Sequence, residues 1–108
     1  MVEEKQWHRV AESVATLQFN EKHIATVMIG LKKICIAKVN GQLVAFTDVC
    51  PHAGASLSEG YIDAQSNITC CVHDYKFNLK TGRDTFNEGY FLKRYEIKLE
   101  NEGVFVRM

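Results

Sequence analysis

Near the end of the chain apolar and charged residues alternate one for one, Tyr95, Ile97 and Leu99 against Glu96, Lys98 and Glu100. That period of two predicts a half-exposed antiparallel strand within a segment running from Tyr90 to Glu100. Asn101-Glu-Gly103 then turns and Val104-Phe-Val106 returns, so a last hairpin closes a basal sheet. Upstream, Ile24 to Ile29 is rich in β-forming residues and breaks at Gly30. Lys32 to Val39 is different, with Ile34 and Ile36 on one face and Cys35, Ala37 and Val39 on the other. A strand apolar on both faces belongs inside a sheet, where Cys35 is a small buried hydrophobe. Asn40-Gly41 tolerates positive φ at both positions and predicts a tight hairpin, with Leu43 to Thr47 as the return strand. Shorter strands are expected at Trp7–Val10, at Tyr61–Asp63 and Asn67–Cys70 around an Ala64-Gln-Ser-Asn turn, and at Phe77–Leu79 before a Lys80-Thr-Gly82 turn. The first strand either continues toward Thr16 or gives way to a helical turn starting at Glu12-Ser-Val-Ala, and Arg83 to Gly89 fits a loop. His8 and His23 have no Cys or His at ligand spacing and are expected at the surface.

The return strand feeds directly into Cys50-Pro51-His52, and Cys70-Cys71-Val72-His73 follows, separated from His52 by seventeen residues. Two thiolates and two imidazoles make a four-ligand set. Zinc accepts such a set at one tetrahedral site. A [2Fe–2S] cluster accepts it with thiolates on one iron and imidazoles on the other. Zinc fingers present a Cys pair and then a His pair, whereas each loop here supplies one of each. Loops that each give one ligand to each of two metals suit a two-iron cluster better than one ion. Pro51, the single proline, stiffens the backbone beside Cys50. Gly54 and Gly60 allow turns, and the small Ala53, Ala55 and Ser56 let backbone amides approach a cluster sulfur. Leu57 is a candidate apolar shield or ordinary core. Neighbours in extended chain point to opposite sides, so only one of Cys70 and Cys71 faces a metal.

Cys50-Pro-His52-Ala-Gly-Ala-Ser-Leu-Ser-Glu-Gly60, Cys70-x-x-His73 and Phe77-Asn-Leu-Lys-Thr-Gly82 together resemble the Rieske-type ferredoxins, over roughly Lys32 to Val106. The resemblance implies an all-β, Rieske-like fold. Antiparallel sheets would form a base, with a two-loop cluster-binding subdomain at about residues 48–82. It implies Cys50, His52, Cys70 and His73 as ligands of a Rieske [2Fe-2S] cluster, selecting Cys70 over Cys71, which stands where relatives usually carry proline. Respiratory relatives bridge their loops with a disulfide, which Ala55 and Val72 forbid here. Those relatives also place Ser and Tyr donors where this chain has Tyr75 and Phe77, and glycine is usual at Asp74. Fewer donors imply a potential near the low end of the Rieske range, roughly −150 to +300 mV. The free imidazole nitrogens would lower that potential at alkaline pH. The implied function is a one-electron carrier between a reductase and a terminal oxygenase or similar acceptor. A small Rieske subunit of an assimilatory nitrite reductase is the alternative, and a zinc-binding structural module the rival from another class.

Composition narrows the surroundings. A chain of 108 residues is expected to be one domain, 1–108. Thirteen basic and thirteen acidic residues cancel, and no basic stripe points to nucleic acid. No apolar run is long enough to span a membrane, and the polar start Met1-Val-Glu-Glu-Lys-Gln is unlike a secretory signal. Cys35 and Cys71, left over from the ligand set, suit a reducing cytoplasm. No Gly-x-Gly-x-x-Gly fingerprint is present, so electrons from a nicotinamide cofactor would need a separate reductase. A mononuclear iron site with its facial triad has no room, so the expectation is an electron-transfer protein and not an enzyme by itself.

Overall fold

The computed structural model describes residues 5–72 and 74–108. Among these, strands β1 (Trp7–Ala11), β2 (Ile24–Ile29), β3 (Lys32–Val39), β4 (Gln42–Thr47), β5 (Tyr61–Ile62), β6 (Asn67–Thr69), β7 (Lys76–Asn78), β8 (Arg94–Glu100) and β9 (Gly103–Arg107) form two antiparallel sheets. The larger has the order β1-β9-β8-β4-β3-β2 and the smaller β5-β6-β7. The edge strands β1 and β2 touch, so the larger sheet curls toward a barrel. Short 3-10 turns lie at Val14–Thr16, where a helical turn was one of the two expectations, and at Leu57–Glu59.

The double-faced pattern of β3 is explained by two cores. Ile34 and Ile36 face the barrel interior with Ala25, Ala45, Val104 and Val106. Cys35, Ala37 and Val39 face a second core with Phe46, Leu57, Ile68, Phe77 and Leu92. That second core lies between the two sheets and also contains Cys50 and Cys70. The β3–β4 register pairs Val39 with Gln42, and both turn residues, Asn40 at φ 52° and Gly41 at φ 79°, are left-handed as the hairpin requires. β4 is therefore held on both flanks, by β3 and by β8, before it enters the first ligand loop.

Three expectations need correction. β8 starts at Arg94 and not at Tyr90, because Tyr90 packs edge-on against His52 and Tyr75 instead of joining the sheet. Its alternation decays toward the turn, where Leu99 is 57% exposed. β7 covers Lys76–Asn78, one residue earlier than expected, with Phe77 buried at its centre. His23 is exposed as expected, whereas His8 is half-buried.

The β5–β6 turn carries its own staple. Asp63 accepts the amides of Gln65 and Asn67 at 2.9 and 3.0 Å and the Asn67 side chain at 3.2 Å, with Lys76 at 3.5 Å. Burial would raise its carboxyl, but the Asn67 and Gln65 donors and the Lys76 charge outweigh it, and the net direction is down. A depressed folded-state value means that the staple stabilises above the ordinary carboxylate range and is lost as pH falls through the lower, folded value. Asp63→Asn is therefore expected to lower the melting temperature at neutral pH. That deficit should shrink as thermal unfolding is followed down through about pH 4 to pH 2.5. A deficit that grows on acidification would contradict the assignment.

Candidate metal centre

β4 ends at Thr47 and delivers Asp48 into the interior. Its carboxylate accepts the Ser56 hydroxyl at 2.8 and 2.7 Å, the Ser58 amide at 3.0 Å and the Cys35 thiol at 3.2 Å. Burial would raise the Asp48 carboxyl, but these donors outweigh it and hold it below the ordinary carboxylate range. Burial and the bond to Asp48 push the Cys35 thiol far upward, so Cys35 is a donor anchoring the loop as well as a core residue. The Asp48 carbonyl accepts from Leu57, and Cys50 N donates to Ala55 O at 2.9 Å. Gly54 N closes the turn onto Cys50 O at 2.8 Å, with φ at +72°, the left-handed region that glycine enters freely. Gly60 has φ −84°, so it is needed there for space and not for an unusual turn. Leu57 is fully buried in the core that also holds Cys50 and Cys70, a place that suits both an apolar shield and ordinary core.

The second loop leaves β6 at Thr69 and is closed by Cys70 N donating to Tyr75 O at 2.7 Å. Cys70 is buried and Cys71 is exposed. The Cys70 thiol meets that of Cys50 and receives the Val72 amide. Burial pushes Cys70 up to about 11, with the Val72 amide pulling it down and Cys50 adding to the rise. Asp74 is exposed and sits at φ +53°, which gives a physical reason for glycine at this position in relatives.

His52 is half-buried, and its Nδ1 is buried with no hydrogen-bond partner. A buried acceptor or donor left unpaired costs about 1–3 kcal/mol. An orphaned imidazole nitrogen together with two buried thiols is a donor set that iron accepts, and a metal would also draw off the thiol protons. His73, the fourth expected ligand, lies outside the described residues. Among the described residues no three His, Cys, Asp or Glu side chains gather as one ion would need. Tyr75 donates its hydroxyl to Asp84 at 2.6 Å and Glu88 at 3.0 Å, and Phe77 is core. Neither stands in for a sulfur donor. Asp48, Tyr75 and the Asp84–Glu88 pair had no residue spacing to announce them; an acidic residue just before Cys50 was the single available signal.

A family model for the Rieske [2Fe-2S] domain matches residues 6–87. The ferredoxin component of the naphthalene 1,2-dioxygenase system of Pseudomonas putida is 29% identical over 100 residues, 88% of this chain and 91% of that protein. Apoptosis-inducing factor 3 of Homo sapiens is 34% identical over 75% of this chain, which spans 13% of that protein's length. Among solved structures, a chain from the complex of reduced oxygenase and oxidized ferredoxin in carbazole 1,9a-dioxygenase superimposes with a TM-score of 0.76 at 29% identity, covering 93% of this chain and 91% of that one. A protein described as a nitrite reductase NADPH small subunit shares the fold, with a TM-score of 0.76 at 19% identity over 94% and 97% of the two chains.

Fold and site define an all-β electron-transfer protein, with its cluster-binding loops at one end of a sheet base. The chain belongs to the Rieske [2Fe-2S] domain family, and its cofactor is a Rieske [2Fe-2S] cluster. Its role is that of a carrier of electrons and not of an enzyme by itself.

Proposed function

We propose that this chain shuttles single electrons from a separate reductase to a terminal oxygenase, with Cys50, His52, Cys70 and His73 as the cluster ligands. The observation that carries this reading is the pair of buried thiols, Cys50 and Cys70, in one core, together with the buried and unpartnered Nδ1 of His52. When bound, the cluster supplies one-electron chemistry. Cys50 and Cys70 hold the inward side in a water-poor core, and His52 turns Nδ1 inward from a half-buried ring. That ring offers a short path toward the surface for an encounter with a redox partner. Such encounters are small and transient. The ferredoxin component in a naphthalene dioxygenase system supports this choice of partner.

Residues 1–108 act as one domain in this reading, since β4 pairs both with β3 and with the C-terminal β8. The setting is cytoplasmic, with no nucleic-acid or membrane partner. Among the described residues no helix is long and apolar enough to cross a membrane.

Protein purified without oxygen should be red, with about two iron and two acid-labile sulfide per chain, and should give an electron paramagnetic resonance signal on reduction. Because the Tyr75 hydroxyl is engaged elsewhere and Phe77 has none, its potential should fall below about +100 mV. Colourless protein holding one zinc would overturn the cluster assignment. A value above that limit would overturn the donor argument alone. Co-purification with a large subunit would make the chain a stable reductase subunit instead of a shuttle.

A further inference from the structure

We propose that Tyr75 is a positioning residue: it clasps the two ligand loops together by stacking on His52 while Asp84 and Glu88 hold its hydroxyl. The inference rests on His52 being a cluster ligand. The Tyr75 and His52 rings lie 4.0 Å apart between centroids and 4° from parallel. His52 belongs to the first loop, and Tyr75 closes the second through its carbonyl bond from Cys70 N. The stack therefore joins the loops directly, in a chain whose Ala55 and Val72 allow no disulfide between them.

The phenol is not free to swing. Asp84 Oδ2 and Glu88 Oε1 accept its hydroxyl from one side, and Glu88 N donates back to both oxygens of Asp84 at 3.1 and 3.0 Å. Thr85 N donates to Lys76 O at 3.0 Å, which fixes this segment to β7. Tyr90 closes the cage edge-on, with its ring centroid 5.5 Å from His52 and 5.8 Å from Tyr75. The plane of the imidazole, and with it the direction of its unpartnered Nδ1, is thus held by protein contacts before any metal binds. Preorganising a ligand in this way lowers the cost of binding and slows loss.

The test uses holoprotein of the wild type, Tyr75→Leu, Tyr75→Phe and Asp84→Asn. Tyr75→Leu removes stack and tether, and should release iron to a chelator about tenfold faster. Its reduced-state resonance should be broader, because His52 samples several orientations. Tyr75→Phe keeps the stack and loses the tether, and about a threefold acceleration is expected, with Asp84→Asn falling between Tyr75→Phe and wild type. If Tyr75→Leu fails to fold, Tyr75→Phe and Asp84→Asn still decide. Variants with wild-type release rates and line shapes overturn the clasp, as does faster release with an unchanged line shape, which marks a merely structural role. A colourless wild type would sink the cluster assignment and is a separate result.

Discussion

Cys70→Ser should give a colourless protein with no acid-labile sulfide, and Cys71→Ser a red one with the wild-type iron content. The two residues are adjacent, and Cys71-Val-His73 repeats the Cys-x-His spacing of the first loop, so spacing alone favours neither. Their surroundings separate them. Cys70 is fully buried in the core between the sheets and reaches Cys50, while Cys71 is exposed. Backbone geometry forbids a compromise, since Cys70 N is bound to Tyr75 O and adjacent side chains in extended chain diverge. The Val72 amide at the Cys70 sulfur would favour its thiolate form over the thiol. Serine at position 70 offers a hard, weakly acidic oxygen in place of that sulfur. Iron and sulfide assays on both purified variants, with visible absorbance, decide the matter. Red Cys70→Ser beside colourless Cys71→Ser would reverse the ligand assignment.

What the sequence showed in advance and what it hid divide along contact range. β2 and β3 were legible to the residue, and Asn40-Gly41 marked the hairpin from β3 to β4, because each is written in a local pattern of period two or a two-residue turn. The two Cys/His loops stand out in the sequence because metal chemistry restricts residue type and spacing, and the fold brings Cys50 and Cys70 into one core. Cys35 was read as a small hydrophobe from its alternation, and its burial agrees. Its thiol bond to Asp48 spans thirteen residues and left no mark on the pattern. The same holds for Tyr75 with Asp84 and Glu88, nine and thirteen residues on, in a stretch that read as plain loop. Tyr90 and Phe91 fall within the segment whose far end alternates one for one, and that alternation predicts a strand reaching back to Tyr90. Long-range stacking on His52 overrode that pattern for Tyr90. Local rules therefore built the base correctly, and the contacts that aim the site had to come from the folded chain.

Gly60→Ala tests how closely the two loops depend on one another. Gly60 ends the 3-10 turn that carries Leu57 and directly precedes β5, which pairs Tyr61 with Thr69 immediately before Cys70. A Cβ at position 60 would run into Thr69 O and lie 3.0 Å from Thr69 C and 3.3 Å from Leu57 O. All three neighbours are backbone atoms, so no side chain can swing aside. Either β5 parts from β6, which moves the root of the second loop, or the Leu57 turn lifts from the core beside Cys50. Overpacking of this kind costs about 3 kcal/mol, which in a domain of this size lowers the melting temperature by about 10 °C or more. Gly54→Ala is the informative control. Its Cβ meets nothing within 4 Å, and its cost comes only from φ +72°, about 1–2 kcal/mol. Thermal unfolding followed by circular dichroism should rank Gly60→Ala well below Gly54→Ala, and Gly60→Ala should also lose iron at lower temperature than wild type. Equal melting points for the two variants would mean that the loops tolerate separation at this seam, and the close approach of Gly60 to Thr69 would then not be what aligns Cys70 with Cys50.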